Sequence, residues 1–377
     1  MLLRTACIAV ALLAASCPAQ QVSPAAPAHQ VEPRDLADVL EPIRAKHGLP
    51  ALTAIVFTDR AVLARGVCGV RALGDPAPAT INDLWHLGSC TKAMTATLIG
   101  SMVDRAELSW DTKLTDLLPD LAARIHPGYA AVTLRQLLTM TAGVPSDLNG
   151  DGLWKKLWEH EGSPQSARAL LCEALLTKPP LHAPGSAFLY SNASVTIAGH
   201  IAELKAGTPF ETLIEERLFK PLQITTAGFG APGTADAVTQ PRGHHEDDRP
   251  ATPGKSADNP AAITPAGRAH MSMDDWARFL MLHVRDADGS IVSEATMREL
   301  HRPELNDYAM GWRTAKRGWG GEVLTHGGSN TMWFCVTWIS PEKHFGVAVA
   351  TNTAAHDAAK AADEAAFALI QEFGKAE

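Results

Sequence analysis

The strongest hydrophobic pattern in the chain begins just after residue 90, where Met94, Leu98 and Met102 recur at intervals of four. Ile99 and Val103 lie beside them on a helical projection, so the apolar side chains form one broad stripe. This pattern predicts a helix that is buried along the stripe. Similar spacing predicts further helices over residues 34–47, 273–284 and 358–373.

Short apolar runs, which are typical of β-strands, occur near both ends of the chain. Two early runs are separated by the polar turn Thr58-Asp59-Arg60, which predicts a hairpin, and three more runs come late. The simplest assembly is an α+β fold with an antiparallel five-stranded sheet, closed by both ends of the chain and flanked by helices. The predicted strands are residues 51–57, 61–70, 322–326, 332–339 and 345–351.

The middle of the chain, residues 106–230, has helical periodicity interrupted by prolines and glycines, which predicts a mostly helical lobe. Residues 34–105 and 231–377 form the predicted sheet domain, with an active site at its junction with the lobe. Periodicity disappears over residues 231–262, where Pro, Gly, Asp and His dominate. We interpret this segment as a long loop, and such loops often form walls of a binding site.

The first 19 residues have the pattern of an export signal, with Arg4 ahead of an apolar core and small residues after it. Two processing routes stay open. The signal is cleaved after Ala19, or residues 13–17 form a lipoprotein-type box in which Cys17 carries a lipid that tethers the protein to a membrane. Residues 20–33 indicate a tether. We therefore expect an exported protein, periplasmic or extracellular, anchored if Cys17 is lipidated.

The net charge of −8 and the lack of any basic cluster in the sequence argue against nucleic-acid binding. Beyond the signal the chain has Cys68, Cys90, Cys172 and Cys335, an even number that permits disulfides but that also fits buried free thiols. The polar cluster at residues 244–248 lacks metal-ligand spacing, and we interpret it as a solvated loop. We predict no cofactor, no metal and no protein partner.

A candidate nucleophile precedes the long buried helix. Ser89 and Lys92 have the spacing S-x-x-K, which places them one turn apart on the same helix face. Burial lowers the lysine pKa from its reference value of ~10.4, and the neutral amine can then accept the proton of the serine hydroxyl. On this pattern alone, the alternative is a helix-capping serine followed by a solvated lysine.

A second candidate pair, Tyr190 and Asn192, lies on a loop at the predicted start of a helix. If Tyr190 lies near Lys92, we expect the ammonium to lower the tyrosine pKa below ~10, so that the phenol relays protons to a leaving group. Asn192 offers a donor and an acceptor to a substrate amide or ester. A core tyrosine followed by a capping asparagine is the alternative.

The third motif, His326-Gly327-Gly328-Ser329, ends a predicted strand. Its two glycines allow a substrate backbone to lie against the strand edge. The amide N–H of Ser329 is then a candidate oxyanion donor, together with that of Ser89. A plain strand-ending turn is the alternative.

Taken in order, the motifs S-x-x-K, Y-x-N and H-G-G resemble those of the serine β-lactamase and penicillin-binding-protein superfamily. The closest similarity is to the class C β-lactamase branch with its esterase and D-peptidase relatives. It extends over residues 36–373 through landmarks such as 133–139, 264–279 and 308–312. The resemblance implies a β-lactamase/transpeptidase-like fold and an acyl-enzyme cycle.

The resemblance also implies roles for individual residues. By similarity, Ser89 is the acylated nucleophile, Lys92 is its activating partner and Tyr190 is the proton shuttle. Asn192 and residues 326–329 are expected to bind the substrate and its oxyanion.

The chain departs from the superfamily at His326, where lactamases and peptidases usually have lysine. A histidine with a reference pKa of ~6.5 is mostly neutral at pH 7 and attracts a substrate carboxylate less strongly. We therefore expect an exported esterase or amidase that acts on a small-molecule, ester or peptide substrate. A D-peptidase, DD-carboxypeptidase or β-lactamase is the alternative, and a non-catalytic cell-wall-binding module is the alternative of another class.

Overall fold

Strands lie at both ends of the chain and helices fill the middle. The computed structural model describes residues 32–286, 289–355 and 357–374. Within them the strands are β1 (Arg34–Asp35), β2 (Ala51–Thr58), β3 (Val62–Gly69), β4 (Leu84–His86), β5 (Gly228–Phe229), β6 (Ala269–Ser272), β7 (Arg313–Arg317), β8 (Gly321–Ser329), β9 (Phe334–Ser340) and β10 (Phe345–Thr351). The α-helices of the same residues are α1 (Ala37–Lys46), α2 (Thr91–Asp104), α3 (Leu114–Leu117), α4 (Leu134–Leu138), α5 (Leu153–Glu159), α6 (Pro164–Leu176), α7 (Asn192–Ala206), α8 (Phe210–Ile214), α9 (Thr264–Gly267), α10 (Met273–Val284), α11 (Glu294–His301) and α12 (Ala358–Phe373).

The larger sheet has the strand order β1-β3-β2-β10-β9-β8-β7. The five strands predicted from the sequence correspond to β2, β3, β8, β9 and β10, and they pair antiparallel as expected. Strand β2 is buried on both faces, which explains its uninterrupted apolar run. The predicted α+β class is confirmed.

The predicted number of five strands is wrong, because the sheet has two further edge strands. Strand β1 pairs in parallel with Ala64 and Arg65 of β3 and is too short to show any alternation. Strand β7 has the sequence Arg-Thr-Ala-Lys-Arg, and charged residues on an edge strand hide the apolar alternation that identifies inner strands. A separate small sheet, β4-β6-β5, was also not predicted.

Helices cover both faces of the larger sheet. Helices α1 and α12 pack on one face against Leu52 and Val56 of β2. Helix α10 packs on the other face, beside Ile55 and Phe57. Helix α10 has the predicted bounds because the Ser272 hydroxyl accepts the N–H of Asp275 and caps its first turn.

The block from residue 106 to 230 contains α3 to α8 and the short strand β5. Contacts group Pro33–Glu377 into one compact unit, and the division into a sheet domain and a helical lobe stays a prediction. The export signal at residues 1–19, the lipid position Cys17 and nearly all of the tether at 20–33 lie outside the described residues. Within the described part of the chain, no helix has the length and apolar character needed to cross a membrane.

Candidate active site

Ser89 lies on a short 3-10 turn, Gly88–Cys90, between β4 and α2. Gly88 has a φ of 46°, and a Cβ atom there would lie 2.3 Å from the backbone nitrogen of Ser329. Only glycine therefore allows this turn to lie against the end of β8. The Thr91 hydroxyl donates to the Gly88 carbonyl at 2.7 Å and holds the turn closed.

Lys92, on the first turn of α2, is fully buried beside Ser89. Its Nζ lies 2.9 Å from Oγ of Ser89, 2.7 Å from Oδ1 of Asn192 and 2.7 Å from the carbonyl oxygen of Ala266. The alternative of a solvated lysine is therefore wrong. Asn192 holds its position because it begins α7, which the Ser191 hydroxyl caps.

The surroundings of Lys92 favour its neutral form. Burial lowers the lysine pKa to about 7, and only the nearby Cys90 thiol opposes this shift. All three oxygen partners are uncharged, so none of them stabilises the ammonium as a carboxylate would. A neutral amine that donates to Asn192 and Ala266 directs its lone pair toward the Ser89 hydroxyl. This is the arrangement of a base beside its nucleophile.

The ring of Tyr190 lies under this amine, with Nζ of Lys92 4.8 Å from the ring centroid. The expected lowering of the tyrosine pKa is wrong. Burial raises the Tyr190 pKa above its ordinary value, and a hydrogen bond with Ser89 and the charge of Arg313 oppose this only in part. Burial also lowers the Lys92 pKa to about 7, so at neutral pH the lysine does not carry the full positive charge that the expectation assumed. The phenol keeps its proton at neutral pH.

The end of β8 forms the opposite wall of the site. The His326 ring is buried, with Nε2 3.3 Å from the hydroxyl oxygen of Tyr308 and Nδ1 2.6 Å from the carbonyl oxygen of Gly327. A Cβ at Gly328 would lie 2.0 Å from the Leu87 carbonyl oxygen, so this glycine allows β8 to approach the turn at Gly88–Cys90. Gly327 and Ser329 are exposed.

The structure thus brings the predicted site residues together. Ser89, Lys92 and Asn192 share direct contacts, and the rings of Tyr190 and His326 lie 6.2 Å apart between centroids. The close approach of Gly88 to Ser329 places the two candidate oxyanion donors on neighbouring backbone segments. The catalytic and binding roles of these residues remain predictions.

Sequence reasoning missed three contributors. Ala266 supplies a carbonyl to Lys92, and its segment was noted only as a family landmark. Tyr308 contacts His326 from the segment preceding β7. Arg313 begins β7, with its guanidinium carbon 5.8 Å from the centroid of the Phe188 ring and 6.0 Å from that of Tyr308. The positive side chains of β7 were the available signal for Arg313, but the strand itself was not predicted.

The cysteines of the described residues are free thiols, so the buried-thiol interpretation holds for Cys90, Cys172 and Cys335, while Cys68 is partly exposed. Sγ of Cys90, the last residue of the Gly88–Cys90 turn, lies 3.6 Å from Sγ of Cys335 on β9.

The interpretation of residues 244–248 as a solvated loop is wrong for its first residue. His244 is buried, where Nε2 accepts the N–H of Leu73 at 3.0 Å and Nδ1 lies 2.7 Å from the Asn352 carbonyl oxygen. The ring therefore anchors the loop. Among the described residues, no group of three or more His, Cys, Asp or Glu side chains is arranged to hold a metal ion.

The sequence model of the Beta-lactamase family matches residues 36–370. This chain belongs to the β-lactamase family. Penicillin-binding protein 4 of Amycolatopsis lactamdurans is 27% identical over 286 residues, which cover 74% of this chain and 72% of that protein. The family assignment supports a serine hydrolase of the β-lactamase and penicillin-binding-protein type.

Solved structures confirm the predicted β-lactamase/transpeptidase-like fold. The octameric penicillin-binding protein homologue from Pyrococcus abyssi superposes with a TM-score of 0.74 at 23% identity, covering 90% of this chain and 77% of that one. D-alanine carboxypeptidase AmpC from Burkholderia cenocepacia superposes with a TM-score of 0.70 at 19% identity, covering 88% and 97%. At these identities the likeness concerns the fold of this β-lactamase-family protein, and its substrate has to be argued from its own residues.

Proposed function

We propose that this β-lactamase-family protein is an exported serine hydrolase that forms an acyl-enzyme on Ser89, with carboxylic esters or amides as substrates. The observation that carries the proposal is the 2.9 Å contact between Nζ of Lys92 and Oγ of Ser89. The amine is buried among neutral acceptors and so can take up the hydroxyl proton.

The proposed reaction has two steps, acylation of Ser89 and hydrolysis of the acyl-enzyme. In the first, Oγ of Ser89 attacks the substrate carbonyl carbon while its proton passes to Nζ of Lys92. The amides of Ser89 and Ser329 stabilise the negative oxygen, and collapse of the adduct expels the first product. Tyr190, which keeps its phenolic proton, donates to the leaving group and recovers a proton from Lys92. Water then attacks the acyl-enzyme along the reverse proton route and releases the acid.

The environment of His326 favours neutral acyl donors. Both of its ring nitrogens already face protein oxygens, those of Tyr308 and Gly327, and the ring is buried. It therefore attracts a substrate carboxylate much more weakly than a lysine ammonium at this position would. Short-chain esters do not need such a charge.

One observation favours a second candidate function, the hydrolysis of D-peptides or β-lactams that carry a carboxylate. The exposed Arg313 guanidinium lies beside Phe188 and Tyr308 and lowers the pKa of Tyr190, which places its positive charge near the site. Among the described residues, the contacts of the Arg313 guanidinium are with aromatic rings, and no carboxylate lies within ion-pair distance of it. An unpaired guanidinium can bind a substrate carboxylate through two hydrogen bonds.

The two candidates are separated by turnover of p-nitrophenyl butyrate, a chromogenic cephalosporin and a peptide ending in D-Ala-D-Ala. We expect the ester to be hydrolysed fastest and the Ser89→Ala variant to be inactive. A fluorophosphonate probe should add its phosphonyl group to Ser89, as shown by mass spectrometry. A wild-type protein that neither turns over any of the three substrates nor reacts with the probe contradicts catalysis and supports the non-catalytic binding module.

The Arg313→Gln variant tests the second candidate directly. If Arg313 binds a substrate carboxylate, this change lowers kcat/KM for the cephalosporin and the D-peptide about tenfold and leaves the neutral ester unchanged. Arg317→Gln is the matched control, because Arg317 lies on the same strand but over the Trp338 ring. Equal effects of the two variants on every substrate contradict carboxylate binding by Arg313.

Export is proposed from the sequence of residues 1–19 and is tested separately. We expect the protein outside the cytoplasm after cell fractionation. Mass spectrometry of the mature N-terminus distinguishes cleavage after Ala19 from lipidation of Cys17.

A further inference from the structure

The long segment between β5 and α9 carries one buried carboxylate, Asp258, which lies beside His86 near the Gly88–Cys90 turn. We propose that Asp258 is a positioning residue that fixes the two oxyanion-binding N–H groups relative to each other, through His86 on one side and Asn330 on the other. The inference rests on the proposed acyl-enzyme function. The Asp258 side chain is 1% exposed, and its two oxygens contact groups from three separate parts of the chain.

The first connection leads to the turn that carries Ser89. Nε2 of His86 lies 3.0 Å from Oδ1 of Asp258, although the ring N–H does not point along the line of an ideal hydrogen bond. On the other side of the ring, Nδ1 accepts the N–H of Gly88 at 3.1 Å. Because Nδ1 is the acceptor, a neutral ring carries its proton on Nε2, next to the carboxylate. The ring also stacks on Trp333, which fixes its plane.

The second connection leads to the end of β8. The Asn330 side-chain amide donates to Oδ1 of Asp258 at 3.0 Å and to the Ala257 carbonyl at 3.2 Å. Its oxygen accepts the N–H groups of Met332 and Trp333, both at 3.2 Å. Asn330 directly follows Ser329, so its buried side chain sets the position at which β8 ends.

The carboxylate is held ionised and in one orientation. Burial alone would raise the Asp258 pKa, but His86, Arg268 and Asn330 together lower it below its ordinary value. Nε of Arg268 donates to Oδ2 at 3.1 Å, while Oδ1 faces Nε2 of His86 and accepts the side-chain amide of Asn330 and, at 2.7 Å, the backbone N–H of Asn259. A buried charge with these partners has little freedom to move.

The geometry of an oxyanion hole explains why such a connection matters. Two N–H groups must point at one oxygen from about 2.7–3.1 Å, so shifts of a few tenths of an ångström weaken the stabilisation. Gly88 and Ser329 already approach so closely that a single Cβ would not fit between them. Without Asp258, direct packing would still hold the turn against the strand end, but the link through His86 and Asn330 that fixes their exact offset would be lost.

The test compares Asp258→Ala with Asp83→Ala. Asp83 is an equally buried carboxylate, paired with Arg71 at 2.6 Å and lying outside the proposed connection. The measurements are kcat and KM for p-nitrophenyl butyrate, the Ki of phenylboronic acid and the thermal unfolding midpoint. Phenylboronic acid forms an anionic tetrahedral adduct with a nucleophilic serine, and its binding therefore reports on the oxyanion hole rather than on the resting site.

For Asp258→Ala we expect kcat to fall about 100-fold and the Ki of phenylboronic acid to rise by a similar factor, with KM within about threefold of wild type. Asp83→Ala should lower the unfolding midpoint while kcat and Ki stay within about threefold. The inference is overturned if both variants lose thermal stability and both keep kcat and Ki.

His86→Asn provides a second test of the same connection if Asp258→Ala does not fold. The asparagine oxygen takes the place of Nδ1 and still accepts the N–H of Gly88, but the link to Asp258 is gone. We expect about a tenfold loss of kcat with a matching rise in Ki, and no loss overturns the inference. A wild-type protein that neither hydrolyses the ester nor binds phenylboronic acid contradicts the proposed function itself, and this inference with it.

Discussion

Two buried cations in this protein have opposite surroundings. Lys92 at the start of α2 and Arg168 in the middle of α6 are both fully buried. Arg168 donates to both oxygens of Glu203, at 2.8 and 2.6 Å, and to both oxygens of Glu211, at 2.8 and 3.0 Å. Lys92 contacts only neutral oxygens.

The difference shows how burial produces either a base or a structural ion. Burial disfavours the charge in both places, but the two carboxylates outweigh it for Arg168 and raise its pKa. With no carboxylate among its contacts, burial lowers the Lys92 pKa to about 7, and Cys90 opposes this only in part. Residue type strengthens the contrast, because a guanidinium scarcely loses its proton whereas an amine does so readily when desolvated. One region is built to keep a charge and the other to release it.

The largest effect is expected from Lys92→Met, which keeps an unbranched apolar side chain out to Cε and removes the amine. We expect kcat/KM for an ester to fall about 10³- to 10⁴-fold, because the general base is lost. The free energy of unfolding at pH 7 should rise by up to about 4 kcal/mol, since the lowered pKa means that burying this lysine destabilises the folded state and an apolar side chain removes that cost. Steady-state kinetics and urea unfolding measure the two changes.

The control is Lys220→Met, which removes an exposed lysine that lies 3.5 Å from Glu215. It should change neither quantity. A Lys92→Met protein that keeps more than about a tenth of the wild-type activity rules out this lysine as the base.

The second effect is expected from Arg168→Met, which breaks the other buried cation. Glu203 would remain buried without the guanidinium that pairs with both of its oxygens, with His200 and the Phe210 N–H as its remaining partners, and the free energy of unfolding should fall by about 3–5 kcal/mol. The kcat of the folded fraction should not change. The double variant Arg168→Met/Glu203→Gln should recover part of the lost stability, because only the partly exposed Glu211 carboxylate then lacks its guanidinium partner.

Arg302→Met provides the matched exposed case, because Arg302 pairs with Glu299 at 3.0 Å and is half-exposed. Its loss should cost less than about 1 kcal/mol. If Arg168→Met also lowers the free energy of unfolding by less than about 1 kcal/mol, the buried ion pairs do not hold α6 and α7 together.

The sequence predicted those parts of the fold whose signal is local. The strand at 345–351 and the helices at 273–284 and 358–373 have the observed bounds, because apolar runs, caps and breakers all lie within the segments themselves. Strand β7 could not be predicted, because backbone pairing with β8 holds it in the sheet and its side chains are largely polar. Pairing of that kind leaves no periodicity to detect.

The candidate site follows the same rule. The spacing of Ser89 and Lys92 was visible because both lie on consecutive turns of one segment. The contribution of Ala266 was not, because it arises from a residue 174 positions away that meets Lys92 only in the folded chain. The expected direction of the Tyr190 pKa shift was wrong for a related reason. It depends on how deeply the ring is buried, and a motif does not encode depth.

The smallest and most specific effect is expected from Asn192→Asp, which gives Lys92 a carboxylate like those around Arg168. The wild-type kcat/KM should fall about tenfold per pH unit below pH 7, where Lys92 becomes protonated, and level off above it. A carboxylate about 2.7 Å from Nζ favours the ammonium and raises the lysine pKa. The fall of kcat/KM on the acid side should therefore begin about 1–2 pH units higher in this variant.

Asn192→Ala removes the same contact without adding charge, and its kcat/KM should begin to fall near or below pH 7. If both variants keep the wild-type pH dependence, another group titrates, and the lack of a carboxylate beside Lys92 does not set the pH at which the enzyme works.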